Sequence, residues 1–451
     1  MQTDGIKQSI KSDGPQRDDV TAKKEINCPH LRDQFSDSSV VQEPYDYYAQ
    51  LRSEAPVFYS TSLQSFVVTS YADIQTVSRN PDIFSSDPSV GSACPALYDT
   101  KYNYLYEEAG TPPLIPGVVN SDGATHSRFR SAVDQAFKAG SVKKLEGSIR
   151  TITDGLINKF IERGKCDLKS EFCLWLPLYM ICDLIGLKWD KAPLFQSEAD
   201  ATVHLFTSYM ETEASIVAFT KQRILFQQYI QKQIDKYRHA PAENLLSYLL
   251  HTKTIDGDFL TDQEIHSLLM SLNSGGNETT TNGLAVMFHA IYSDVGNADR
   301  LRANPGEIPK FIEEVLRLDS PVTAMPRWAR ADTQLAGVQI PAGSAVHLCF
   351  AAANRDEAQF PGPDAIDIGR AGLRNHMVFG MGIHYCLGQA LARLELRIAA
   401  ERMLERIVDG RFVDDVPKIG GGGHANVRGP ASLPITFTPG KQVSIEVARP
   451  L

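Results

Sequence analysis

The chain has 451 residues, 43% of them hydrophobic and 22% charged, with a formal net charge of −9. Such a length can bury a large core and enclose a cofactor, and the acidic balance excludes the basic footprint of a nucleic-acid or anionic-membrane binder. The seven cysteines, Cys28, Cys94, Cys166, Cys173, Cys182, Cys349 and Cys386, form no CxxC pair, so neither a zinc site nor a redox couple is indicated and a reducing cytoplasm is expected.

Residues 1–36 are polar and charged and read as a loosely attached, disordered arm. Residues 1–40 hold no apolar core for a signal peptide or anchor, and the longest apolar-rich stretch, Cys173 to Leu187, contains Asp183 and is too short to span a bilayer. A short helix is expected from Pro44 to Leu51, then two strands, Val57-Phe58-Tyr59 and Phe66-Val67-Val68-Thr69, rich in β-branched and aromatic residues. Residues 85–120 are irregular and rich in Gly, Pro and Tyr, as in a binding loop or lid. From about 125 to 320 the periodicity is helical. Pro341-Ala342-Gly343 predicts a turn, Ala345 to Phe350 a strand, residues 386–408 a long helix and Ile435-Thr436-Phe437 a last strand. Gly420 to Gly423 lacks the Lys-Ser/Thr of a nucleotide loop and reads as a flexible turn. No repeat or linker divides the chain. The expected architecture is one mainly α domain over residues 37–451 with a smaller β-rich lobe.

Three segments carry chemistry. Thr261-Asp262-Gln263-Glu264 is a capping box that opens a long helix with an apolar stripe of Ile265, Leu268, Leu269 and Leu272, continued by Met287, Phe288 and Ile291. In its middle, Ser274-Gly275-Gly276-Asn277-Glu278-Thr279-Thr280 is a poor helix sequence, since each glycine costs about 1 kcal/mol relative to alanine. A widened turn, with a hydroxyl or ligand taking over a backbone bond, is expected there. Ser271 and Ser274 share the face that carries Gly275; they either hydrogen-bond a substrate or bond back to their own helix. Glu314 and Arg317, three apart on a helix introduced by Pro305, face each other. Finally, Phe379-Gly380-Met381-Gly382-Ile383-His384-Tyr385-Cys386-Leu387-Gly388 delivers one cysteine to the start of a helix, where unpaired N–H groups and the macrodipole favour a thiolate. Gly380, Gly382 and Gly388 let such a loop fold tightly beneath a flat macrocycle.

In these residues the chain resembles the cytochrome P450 family, whose haem loop reads Phe-Gly-x-Gly-x-His-x-Cys-x-Gly. The resemblance covers roughly residues 40–440 and implies that fold, with haem b between the long distal helix and the helix after the cysteine loop. Carried over, Cys386 is the axial thiolate ligand of iron, seated among Phe379, Gly380 and Gly388. Gly275 and Gly276 make room for dioxygen, and Glu278 and Thr279 are the acid–alcohol pair of a proton relay. Asn277 departs from the family, which often has an apolar residue or His there. Glu314 and Arg317 match a buried structural pair that ties into a third residue. The haem propionates need cationic partners, for which the matching segments offer His126 and Arg130, Arg327, and His376. Ala353-Asn354-Arg355-Asp356 matches a structural segment. The substrate pocket is expected to draw on residues 85–120, Ser271, Ser274, Gly275, Thr323, Ala324, Met325 and Val427, and to suit a terpenoid, steroid, fatty acid or aromatic compound.

The implied activity is insertion of one atom of dioxygen into such a substrate. The sequence shows no flavin, dinucleotide or iron–sulfur fingerprint, so a ferredoxin and its NAD(P)H-dependent reductase are the expected partners, docking near Arg374, Arg393 and Arg397. The missing anchor implies a soluble, bacterial-type, cytoplasmic member. A peroxide-driven peroxygenase is an alternative, disfavoured by the Glu278–Thr279 pair; a haem-thiolate sensor is another, disfavoured by the lack of an output segment.

Overall fold

The computed structural model describes residues 31–91, 95–206, 211–421 and 426–445. The expected arm over residues 1–30, Cys28, Cys94, and Gly422 and Gly423 lie outside these segments. Residues 31–36 do not behave as a loose arm: Leu31 is buried, Phe35 packs edge-on against Tyr47 at 5.2 Å, and Asp33 accepts the Ser62 N–H at 2.8 Å. The packed part of the chain therefore begins before the expected boundary at residue 36.

The β lobe is a five-stranded sheet. β1 (Val57–Ser60) and β2 (Ser65–Val68), the two expected strands, pair antiparallel as a hairpin, and β3 (Phe84–Ser85) lies at the far edge. The turn between β1 and β2 is the one Asp33 caps through Ser60, Thr61 and Ser62. Every residue of β1 and β2 is buried, because helices and the N-terminal segment cover the sheet.

The helical body follows: α1 (Gly123–Phe137), α2 (Glu146–Asn158), α3 (Trp175–Ile185), α4 (Ala192–Phe206), α5 (Glu213–His239), α6 (Asp262–Ser293) and α7 (Ile308–Leu318). α6 runs through the centre and packs on α3, α4, α5 and α7. Its capping box is complete: Thr261 Oγ1 accepts the Glu264 N–H at 3.2 Å and Glu264 accepts the Thr261 N–H at 2.8 Å. Arg128 on α1 pins this end, donating to Glu264 at 2.7 Å and to the Phe259 carbonyl at 2.9 Å. The helix is α throughout, so no widened turn forms at the two glycines; burial of its stripe on both sides outweighs their propensity cost.

β4 (Met325–Ala329) and β5 (Ala345–Leu348) complete the sheet in the order β1-β2-β5-β4-β3, with β2 parallel to β5. The strand expected to reach Phe350 stops at Leu348, and Phe350 opens a short helix. α8 (Gln389–Arg406) follows the cysteine loop and packs on α6 and α7. Gly420 and Gly421, expected in a turn, belong to a strand paired with Arg428–Pro430. Among the described residues, no helix is long and apolar enough to cross a membrane.

Buried charge locks α7 to the coil that precedes the cysteine loop. Arg317 and Glu314 are fully buried and 2.6 Å apart. Arg317 also donates to the carbonyls of Asn354 at 2.8 Å and Pro363 at 2.7 Å. Arg370 occupies the second oxygen of Glu314 and is the third member of the cluster. Arg355 bonds the Leu318 carbonyl and Asn354 bonds Ser320 and the Met377 N–H, a scaffold role for this segment.

Candidate active site

A cavity of about 290 Å³ lies between α6 and the cysteine loop. The loop is built by local bonds: Gly380 N–H to the Met377 carbonyl at 2.9 Å, and Cys386 N–H to the Phe379 carbonyl at 2.8 Å. Gly380 and Gly382 have φ of 67° and 71°, a left-handed conformation that disfavours a side chain. At Gly382 a Cβ would stand 2.2 Å from the Ser78 carbonyl, so that glycine is required by the neighbouring chain. α8 begins at Gln389, three residues after Cys386, and the N–H groups of Gly388 and Gln389 point at the sulfur. Burial raises the Cys386 thiol; those two N–H groups, Arg130 and Arg393 act against it.

Phe379, Gly380, Gly388 and Cys386 line the cavity on the loop side, and Gly275, Gly276 and Thr279 line it from α6. A Cβ on Gly275 would meet nothing within 4 Å, whereas one on Gly276 would press on Ile181 at 2.8 Å. Thr279 donates to the Gly275 carbonyl at 2.7 Å, the backbone-directed hydroxyl expected of this segment. Ser271 and Ser274 both bond back to their own helix, to Ser267 at 2.8 Å and Met270 at 3.0 Å; only Ser271 also faces the cavity.

The basic groups gather at one place. His126, Arg130 and Arg327 line the cavity, and so does His384, whose ring lies 4.6 Å from that of His126. His384 was already present in the loop motif two residues before Cys386, yet its spacing alone does not reveal that it meets α1. It bonds Ser86 at 2.8 Å and Asp122 at 3.3 Å. Burial, then the neighbouring His384 and Arg130, pushes His126 down to about 4. Its Nε2 is buried without a hydrogen-bond partner. Arg130 donates to the Tyr385 carbonyl at 2.8 Å, tying α1 to the loop.

Several expected members lie elsewhere. His376 is fully buried, with Nε2 against Glu313 at 2.8 Å and Nδ1 without a hydrogen-bond partner, and it is not among the residues that line the cavity. Thr323, Ala324 and Val427 line a separate cavity of about 60 Å³ beside Tyr48 and Cys349. Val322 and Met325, which flank Thr323 and Ala324 in the chain, line the main cavity instead. From residues 85–120, Val118 and Val119 contribute walls. The tyrosines of that segment, Tyr102 and Tyr106, instead pack with Leu205 and Ile216 of α4 and α5. Glu278 is not a cavity residue: its carboxyl faces Asp200, Lys169 and His204, and its Oε2 is buried without a partner. Burial, then Asp200, raises it to about 7 against Lys169 and His204. Glu395 on α8, unforeseen within an apolar stripe, lines the cavity, and burial raises it to about 8.

Of the arginines expected at a docking surface, Arg393 is drawn inward, 2.5 Å from Glu313 with its side chain 16% exposed. Arg397 pairs with Glu401 at 2.8 Å, and Arg374 is 73% exposed.

Comparison with known proteins agrees with this geometry. Residues 308–407 match the family model for cytochrome P450. The chain is 31% identical to the steroid C26-monooxygenase of Mycolicibacterium smegmatis, over 88% of its own length and 93% of that protein. It is also 31% identical to cytochrome P450 109 of Bacillus spizizenii, over 80% of this chain and 84% of the relative. The chain is a cytochrome P450. Solved members of the family superpose along nearly their full length. The cytochrome P450 CREJ in complex with (4-ethylphenyl) dihydrogen phosphate gives a TM-score of 0.80 at 28% identity, covering 88% of this P450 and 98% of CREJ. A Bacillus megaterium P450 in complex with testosterone gives 0.76 at 27% identity, covering 89% and 99%. Cytochromes P450 are haem mono-oxygenases that bind haem through a cysteine thiolate, so this P450 is an oxidoreductase acting with dioxygen on small molecules.

Proposed function

We propose that this P450 oxygenates a mostly apolar small molecule, with Cys386 as the haem ligand and with electrons from a ferredoxin and its NAD(P)H-dependent reductase. The observation that carries the reading is the single cavity that joins Cys386, a cluster of four basic side chains and the glycine face of α6. The residues fit haem. Two arginines and the unpartnered His126 Nε2 suit two propionates, which His126, Arg130, Arg327 and His384 would hold. Cys386, on the loop side of the cavity, would hold the iron.

Haem, when bound, supplies the activation of dioxygen. The chain's own residues handle shape and protons. Val118, Val119, Ile181, Val322, Met325 and Phe350 give the substrate apolar walls and keep water out. Glu278 holds a proton on the outer side of α6, at a carboxyl that titrates near neutral pH. Thr279 presents its hydroxyl on the cavity side, already oriented by Gly275. The pair thus offers a proton on one face of the helix and receives it on the other. The steroid named for the Mycolicibacterium relative and the testosterone of the Bacillus megaterium complex support a steroid-sized, apolar substrate. Arg374 remains available to an acidic ferredoxin.

The test is a carbon monoxide difference spectrum of the dithionite-reduced protein, with and without a steroid and terpenoid panel. The strongly red-shifted Soret band of a thiolate-ligated carbonyl haem is expected, together with a ferric shift from a panel member. A band at the neutral-ligand position would overturn Cys386 as ligand.

A further inference from the structure

Glu313 precedes the structural Glu314 and does something different. Its carboxyl is 4% exposed and collects cations from the cysteine side of the molecule. Arg393 of α8 approaches it twice, Nε to Oε1 at 2.5 Å and Nη2 to Oε2 at 3.0 Å. His376 Nε2 meets Oε2 at 2.8 Å, and Arg374 stands 3.6 Å from Oε1. Held in this way, the Arg393 guanidinium lies 4.2 Å from the centre of the Phe379 ring, with the His376 ring 6.0 Å from it on a tilted approach. Phe379 in turn accepts the Cys386 N–H at 2.8 Å. A chain of contacts therefore runs from α7 through Glu313, Arg393 and Phe379 to the backbone of Cys386.

Two physical consequences follow. A bidentate Arg–carboxylate pair fixes the plane of the guanidinium and so its seat on the aromatic face. Arg393 also places a positive charge near Cys386, and Glu313 places the compensating negative charge one step further away. Hydrogen bonding and fixed charge around a ligating sulfur tune the potential of the metal it binds.

We propose that Glu313 is a positioning residue that clamps Arg393 and His376 on Phe379 and thereby sets the reduction potential of haem bound at Cys386. His376, expected among the propionate anchors, belongs to this clamp. The inference rests on Cys386 being the haem ligand. It makes a signed prediction. Arg393→Gln removes the cation, which favours the reduced state, and lowers the midpoint potential. Glu313→Gln leaves that cation uncompensated and raises it. The double variant returns towards wild type, and Glu313→Asp, which restores the charge, lies between wild type and Glu313→Gln.

The experiment is a spectroelectrochemical titration of the haem-loaded wild type and variants, with the carbonyl spectrum and thermal midpoint of each. Opposite shifts that cancel in the double variant support the clamp. Shifts of one sign, or unchanged potentials with a lowered thermal midpoint, reduce Glu313 to a structural residue and overturn it. Should Glu313→Gln fail to fold, Arg393→Gln decides alone: a lowered potential supports the clamp and an unchanged one overturns it. A wild type lacking the thiolate carbonyl band would defeat the Cys386 reading itself, whereas a wild type that has it, with variants lacking these shifts, defeats only the clamp.

Discussion

Glu313 of α7 and Glu278 of α6 are both withdrawn from water, yet their carboxyls shift in opposite directions. Glu313 and Glu314 each receive two or more cations at hydrogen-bonding distance, and Glu313 is held down to about 2 by His376 and Arg393 against the effect of its burial. Glu278 has Lys169 and His204 only at longer range and Asp200 opposing them, so burial wins and raises it to about 7. Burial alone does not decide the charge of an acid; the donors within reach decide it. A fully paired carboxylate is scaffold, and an under-paired one titrates where a proton can be exchanged.

This contrast can be broken from either side. The largest effect is expected from Glu314→Gln, which leaves Arg317 and Arg370 buried without their anion; loss of a partner of this kind costs about 3–5 kcal/mol, read by urea unfolding. A change under about 1 kcal/mol would mean the cluster is no stronger than a surface pair. On the other side, Thr279→Ala should let NADH oxidation continue while peroxide replaces product. Glu278→Gln should lower the turnover rate by about 10²-fold or more. Unaltered coupling in the first, or unaltered turnover in the second, would remove the pair from proton handling.

The pH dependences sharpen the difference. With Glu278 in the proposed role of acid, the wild-type rate should fall as pH rises through about 7, and Glu278→Gln should lose that inflection. For Glu313 the folded value lies below the ordinary glutamate value of 4.5, so its contribution to stability is present above 4.5 and is lost as pH falls towards about 2. Thermal midpoints of wild type and Glu313→Gln should therefore converge across that window. The smallest effect belongs to Gly275→Ala: with nothing within 4 Å of the new Cβ, the helix should gain up to about 1 kcal/mol, while oxygenation slows because the methyl enters the cavity. Unchanged oxygenation would show that this glycine is not there for room.

Much of this arrangement could be read directly from the chain. The capping box at Thr261–Glu264, the glycine-flanked Cys386 and the Glu314–Arg317 pair are local patterns, and each stands where it was expected. The widened turn in α6 was not found, because packing on α3 and α4 holds Gly275 and Gly276 helical. His376 and His384 both lie near the cysteine in sequence, but only His384, given no role from the sequence, meets His126 of α1, while His376 meets Glu313 of α7. Thr323, Ala324 and Val427 line a second cavity, while Val322 and Met325 line the first, a division that depends on the long-range bridge between Val322 and Val427.

The sequence by itself determined the family, the cysteine and the helices that frame it, since these depend on turn residues, capping and periodicity within a few positions of one another. Only the tertiary structure decided which cation meets which carboxylate and which side of α6 each member of the acid–alcohol pair faces. Those choices depend on contacts between elements more than a hundred residues apart, such as Arg130 with Tyr385 and Lys169 with the Glu278 face of α6, and no local pattern encodes them.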